Sequence, residues 1–248
     1  MYINKMKRTF TLLTIAFITL ITLNAKAQDD PPIKSYFGFF GGVSIPQGDF
    51  AKYTYDNNKA GFAKRGLTYG LDGAYYFYKS LGIGATISYM DNGELNQTDA
   101  DNLAAGYTAS FAADQSTVTA HNRYQTVNIL LGPQYSFHYG KFILDLRASA
   151  GFIKVYKTPE TSILLGGVTD QITTFYQRSA SATVFAYSGN AALRYKLGDN
   201  LHLVLRGTYI NSSGPSITND GRATTIGRVV TKQPITAIQT SLGLNFSF

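Results

Sequence analysis

The 248-residue chain contains no cysteine and no tryptophan, and only three histidines. Without cysteine there is no disulfide, no thiolate metal site and no lipid attachment through an N-terminal cysteine. The histidines, His121, His138 and His202, fall in no HExxH pattern, and no GxSxG is present, so hydrolytic motifs are lacking. Long apolar runs are missing as well. After residue 23 each apolar stretch is broken by Gly, Asp, Arg or Asn within about ten residues, whereas a membrane-crossing helix needs roughly 20. What the chain does have is 18 tyrosines, 16 phenylalanines and 24 glycines, spread along it with a period of two.

The one helical-length apolar segment lies at the start. Lys5, Lys7 and Arg8 precede an apolar stretch from Phe10 to Leu23, followed by Ala25-Lys26-Ala27. A basic region, a short apolar core and a small-x-small site predict a secretory signal peptide over 1–27. Thr11, Thr14, Thr19 and Thr22 make the core too polar for a spanning helix. Residues 28–34, with Asp29, Asp30, Pro31 and Pro32, read as a short periplasmic leader. Four cations (Lys5, Lys7, Arg8, Lys26) fall in the signal segment, so the formal charge of +7 drops to +3 without it. The high pI therefore argues for no nucleic-acid partner.

From Ser35 onward, alternation takes over. Phe37, Phe39, Gly41, Val43 and Ile45 share one face of a first strand, and Leu67, Tyr69, Leu71, Gly73, Tyr75 and Phe77 one face of a second. Similar patterns run through 81–89, 126–137, 142–152, 185–196, 201–209 and 235–248. Eight strands result, each with a greasy face and a small or polar one. Short turns near Lys79-Ser80, Tyr139-Gly140 and Gly198-Asp199-Asn200 alternate with long polar loops at about 46–66, 92–123, 157–181 and 212–233. A soluble sandwich has no reason to alternate loop lengths, nor to keep a greasy face on every strand without a second sheet to cover it. The pattern predicts an all-β fold over 35–248: an eight-stranded antiparallel up-and-down transmembrane β-barrel with short periplasmic turns and long extracellular loops. Both termini are then periplasmic. Tyr and Phe near the strand ends form two interfacial girdles, the role tryptophan usually shares. Pro133 cannot donate to a ladder and is expected at a bulge or a locally unpaired position.

Eight strands enclose a space that side chains fill, so the inward positions matter. They include Asp72, Gln134, Asp145, Arg147, Asn190, Arg194, Lys196 and Arg206. Buried charges must pair, and two acids among these bases predict an internal ion-pair and hydrogen-bond network that plugs the barrel. The alternative is a narrow channel or small-solute transporter, decided by whether Arg147, Arg194 and Arg206 are paired with Asp72 and Asp145 or line a wet path. No catalytic, cofactor or metal site is expected. Asp99, Asp101 and Asp114 lack the spacing of a calcium loop, and Gly41-Gly42 and Gly166-Gly167 open no phosphate-binding helix. Arg222, Arg228 and Lys232 make the fourth loop basic, expected first as a solvated loop and second as a contact for lipopolysaccharide phosphates.

Three stretches also resemble a known family. FFGGVSIPQGDFA at Phe39–Ala51, GLTYGLDGAYYFYKSLGIGATISY at Gly66–Tyr89 and the closing LGLNFSF are similar to the PorT-like outer-membrane β-barrel domain family. In layout that family is similar to the transmembrane domains of the outer-membrane protein A and X type. The resemblance implies contact with outer-membrane lipid and insertion by the outer-membrane assembly machinery, which reads a last strand ending in an aromatic, here Phe246 and Phe248. It implies no single activity. A structural or surface-interaction role, with the loops meeting an extracellular ligand, is expected first. A secretion accessory or a lipid-modifying enzyme is a lesser expectation, and no peptidoglycan-binding domain is expected after Phe248.

Overall fold

The computed structural model describes residues 33–168, 171–220 and 229–248. The expected signal peptide, most of the leader, Arg222 and Arg228 lie outside the described residues. Among the described residues the elements run β1 (Tyr36–Pro46), a 3-10 turn (Gly48–Phe50), β2 (Gly66–Tyr78), β3 (Leu81–Asn92), α1 (Gln97–Phe111), β4 (Gln115–His121) and β5 (Tyr124–Tyr139). They continue with β6 (Phe142–Lys157), β7 (Glu160–Val168), β8 (Gln171–Gln177), β9 (Ala182–Lys196), β10 (Leu201–Ser212), β11 (Ser216–Asn219), β12 (Val229–Lys232) and β13 (Ile235–Ser247).

Eight of these close a barrel in the order β1-β13-β10-β9-β6-β5-β3-β2. They are the eight strands expected, some longer than the alternation suggests: β6 runs to Lys157 rather than Phe152. Closure falls between β1 and β13, from Tyr36↔Ser247 to Pro46↔Ala237 without a register shift. A backbone bond from the Phe248 N–H to the Ser35 carbonyl (2.9 Å) extends that seam. A closed ladder leaves no edge, and that is the only sheet whose backbone polar groups are all satisfied in hydrocarbon. The tight turns use left-handed residues, Lys79 (φ 42°) and Gly140 (φ 59°). At Pro133 the β5–β6 ladder skips from Leu131↔Ala150 to Gln134↔Arg147, so the missing donor falls at a locally unpaired position.

Facing follows the two-residue period. Phe37, Leu67, Leu71, Tyr75, Ile87, Ile129, Leu205 and Leu242 are each at least half exposed on the outer wall. Tyr36, Asp72, Gln134, Asp145, Arg147, Arg194 and Arg206 are buried inside.

The long connections are not plain polar loops, and here expectation is corrected. A second, five-stranded sheet in the order β12-β11-β8-β7-β4 stands beyond the barrel end opposite the tight turns. It extends barrel hairpins: β4 and β7 run into β5 and β6, and β11 and β12 run into β10 and β13. The helix α1 lies against one face of it. Asn96 caps α1 by accepting the Asp99 N–H at 2.8 Å. Ala100, Leu103 and Tyr107, at helical spacing, then pack with Ile163, Leu165 and Phe175 of the sheet and with Ala60 and Phe62 of the β1–β2 connection.

Candidate functional site

The barrel interior holds two layers. Nearer the tight turns, Asp72 is the centre of the first. Its carboxylate accepts two bonds from Arg147 (Nη1–Oδ2 2.7 Å, Nη2–Oδ1 3.0 Å), one from Arg206 Nη2 (2.6 Å), one from Thr86 Oγ1 (2.6 Å) and one from Tyr36 Oη (3.0 Å). A buried carboxylate needs this many donors to stay ionised. Asp145 forms the other half. Arg194 meets it through both Nε (2.7 Å) and Nη2 (2.8 Å), and Ser136 Oγ donates at 2.5 Å. Gln134 joins the halves by accepting from Arg147 Nε (2.8 Å) and donating to Tyr76 Oη, which in turn accepts from Arg194 Nη2 (3.0 Å). The guanidinium carbons of Arg194 and Arg206 also lie over the rings of Tyr36 (4.4 Å) and Phe40 (4.8 Å), which spreads the third positive charge onto π faces.

Of the eight interior residues expected from sequence, six therefore meet: Asp72, Gln134, Asp145, Arg147, Arg194 and Arg206. Two do not. Asn190 is half-buried beside the cluster and donates to Thr208 Oγ1 (2.8 Å). Lys196 is excluded altogether: it is exposed at the end of β9 and pairs with Asp199 of the turn at 3.4 Å. Alternation assigns a face but not a depth, and a long lysine at a strand end reaches water instead of the interior. Tyr36, Tyr76, Thr86 and Ser136 belong to the network although the sequence pattern assigns them no role. Their inward parity is the available signal.

Gly84 makes room for this arrangement. A Cβ there would overlap the Arg147 guanidinium, which is pinned by Asp72. Gly84→Ala is expected to destabilise the barrel by roughly 1–3 kcal/mol, read as a lower urea midpoint in detergent micelles. Gly41→Ala, whose added carbon meets nothing within 4 Å, is the control. Equal midpoints for the two variants would refute the packing claim.

The second layer is largely apolar, which the polar-interior expectation does not include. Phe50, Met90, Tyr124, Leu130, Ile153, Val155, Ile210 and Ile235 form one buried cluster toward the loop end. Hydrogen-bonded pairs, Asn128 Nδ2 to Ser88 Oγ (3.1 Å) and Ser44 Oγ to Asn92 Oδ1 (3.2 Å), are interleaved with it. Phe50 comes from the 3-10 turn after β1 and meets Tyr124 edge-on at 4.7 Å between centroids. Its segment is held by Ala63 N–H to Phe50 O (3.0 Å) and Gly61 N–H to Asp49 O (2.8 Å). Hydrogen bonds from Lys52 and Asn57 hold the Asp49 carboxyl below its usual range. Gln233 clips the layer shut: it accepts from Tyr124 Oη and donates to the Ala60 carbonyl.

With this geometry in view, likeness to known proteins adds little. No family model matches the chain, and no curated protein does. Among solved structures, Neisserial surface protein A is 12% identical, with a TM-score of 0.46, over 88% of this chain and 100% of that one. A major outer membrane protein from Thermus thermophilus is 13% identical, with a TM-score of 0.45, over 87% and 100%. Ail, the attachment invasion locus protein of Yersinia pestis, is 12% identical, with a TM-score of 0.39, over 87% and 97%. Likenesses this distant say nothing of role, which has to be read from the chain's own side chains.

The remaining candidates disperse. His202 is buried, with Nδ1 3.2 Å from Ser247 Oγ. His138 lies on β5 near its tight-turn end. Asp99 is engaged by Lys64. Among the described residues no three His, Asp or Glu side chains stand close enough to share a metal ion. Phe246 and Phe248 face outward, and both rings lie against Phe37, at 5.8 and 6.4 Å.

Proposed function

We propose that the chain is an integral outer-membrane barrel whose interior is filled, and that it acts at the membrane surface through its outer sheet and helix. The outer wall supports the membrane reading: it presents Leu, Ile, Phe and Tyr side chains on all eight strands, far beyond the few hundred Å² that soluble monomers expose. Closed barrels are the β-structures that span lipid, and they do so in outer membranes. The tight-turn side, with both described chain ends, is then periplasmic, and the second sheet is outside. Phe246 and Phe248, packed on Phe37 across the closing seam, are the aromatics offered to the assembly machinery. Kinship with PorT-like barrels belongs to this same proposal.

One observation favours a filled barrel over a channel. Arg147 and Arg206 both meet Asp72, and Arg194 meets Asp145, so each of these three guanidiniums is drawn to a carboxylate on the barrel axis. The apolar layer around Phe50 stands in series with that network. In planar bilayers the protein is expected to give no stable conductance while showing heat-dependent gel mobility and fractionating with outer membranes. Stable single-channel currents that weaken on Arg194→Ala would overturn the filled-barrel reading.

A further inference from the structure

On the outer wall at the loop end, three charged residues stand in a row on neighbouring strands. Arg65 immediately precedes β2, Asp91 lies near the end of β3 opposite Leu67, and Arg123 immediately precedes β5. All three share the outward parity of the wall. Directly below them, one pair further into the barrel, are Tyr69 and Tyr89, opposite each other with centroids 5.3 Å apart. These residues and Leu67 line a single groove of about 620 Å³.

The charges in the groove do not cancel. Arg123 Nε is held by Asp91 at 2.7 Å, with the arginine side chain still nearly half exposed. Arg65 is exposed and makes no hydrogen bond or ion pair among the described residues. The groove therefore carries one net positive charge. Neighbouring strands are about 4.8 Å apart, so two steps put the two arginine backbones roughly 10 Å from each other. That span suits a headgroup larger than a single phosphate, with the phosphate on Arg65 and a sugar or second phosphate toward Arg123.

We infer that this groove binds an anionic, phosphate-bearing glycolipid of the outer leaflet. The inference rests on the proposal above that the outer wall meets lipid. The arginines would hold the headgroup phosphate by charge-assisted hydrogen bonds. The tyrosine pair sits at the depth where amphipathic rings meet the sugar and carbonyl region, and Leu67 and the wall beneath it meet the acyl chains. A soluble phosphate would use only the arginines, whereas a lipid also uses the apolar floor, and the continuity of that floor with the wall favours the lipid. Asp91 is a competitor for Arg123.

The test uses protein inserted into phosphatidylcholine nanodiscs with a few per cent lipid A, with bound lipid A counted by native mass spectrometry. Heat-dependent gel mobility in nanodiscs without lipid A reports on membrane insertion by itself, so a protein that inserts and ignores lipid A overturns the groove alone. Arg65→Gln/Arg123→Gln is expected to weaken binding roughly tenfold or more with unchanged mobility. Asp91→Asn, which releases Arg123, is expected to tighten it. Retained affinity in the double variant, no tightening in Asp91→Asn, equal binding of dephosphorylated lipid A, or full displacement by millimolar inorganic phosphate would each overturn the assignment.

Discussion

Asp72→Asn is expected to be the most destabilising single polar substitution in the barrel, at about 3–5 kcal/mol. The reason is asymmetry of loss. Asp72 is the shared acceptor for Arg147 and Arg206, whose side chains are 2% and 4% exposed. Removing its charge strands two guanidiniums in an interior where one unpaired ion already costs several kcal/mol. Asp145→Asn strands Arg194 alone, so its effect should be smaller. The measurement is reversible urea unfolding in micelles, followed by tryptophan-free probes such as tyrosine fluorescence or gel mobility. A second variant guards against a trivial reading. Asp72→Asn combined with Arg206→Met removes one of the stranded charges, so the double variant should recover part of the stability lost by Asp72→Asn, a coupling of the kind seen between contacting residues. If the two substitutions simply add, Asp72 and Arg206 are not the buried pair their 2.6 Å contact indicates.

How far this network is legible follows from what alternation encodes. The outward face is apolar on every barrel strand, so the outward set repeats from Phe37 to Phe246 and is readable without partners. The same parity puts Asp72, Asp145, Arg147, Arg194 and Arg206 on the inside, and the need to pair buried charge joins them. Parity does not encode depth, and this is why it groups Lys196 with Arg194 although Lys196 sits one step nearer the turn and reaches water. Nor does it say which inward aromatics carry a hydroxyl to the charges, so it leaves Tyr36 and Tyr76 unassigned. The outer sheet is harder still. Segments such as Gln115–His121 and Gln171–Gln177 are short and rich in Thr, Gln and Ser, and their apolar face exists only because α1 covers it. The helix itself leaves a signal in Ala100, Leu103, Tyr107 and Phe111, spaced three and four apart behind the Asn96 cap.

Phe50→Ala should open the other end of the interior. Phe50 is fully buried although it belongs to a connection, and it is where the β1–β2 segment enters the barrel mouth. Truncating a buried phenylalanine costs about 3–5 kcal/mol, part transfer and part unfilled space. Here the loss should be local first, because the amides of Gly61 and Ala63 are bonded to the carbonyls of Asp49 and Phe50 beside the truncated ring. Their hydrogen exchange is expected to rise at least about a hundredfold, since each factor of ten corresponds to roughly 1.4 kcal/mol of opening free energy. Exchange in the β1–β13 seam should change far less. Phe50→Leu, which keeps most of the apolar volume, should retain most of the protection. Unchanged protection at Gly61 and Ala63 in Phe50→Ala would mean that the segment is held by Gln233 and the Asp49 hydrogen bonds instead. If the exchange rises while the bilayer stays silent, the Asp72 and Asp145 layer alone is enough to close the barrel.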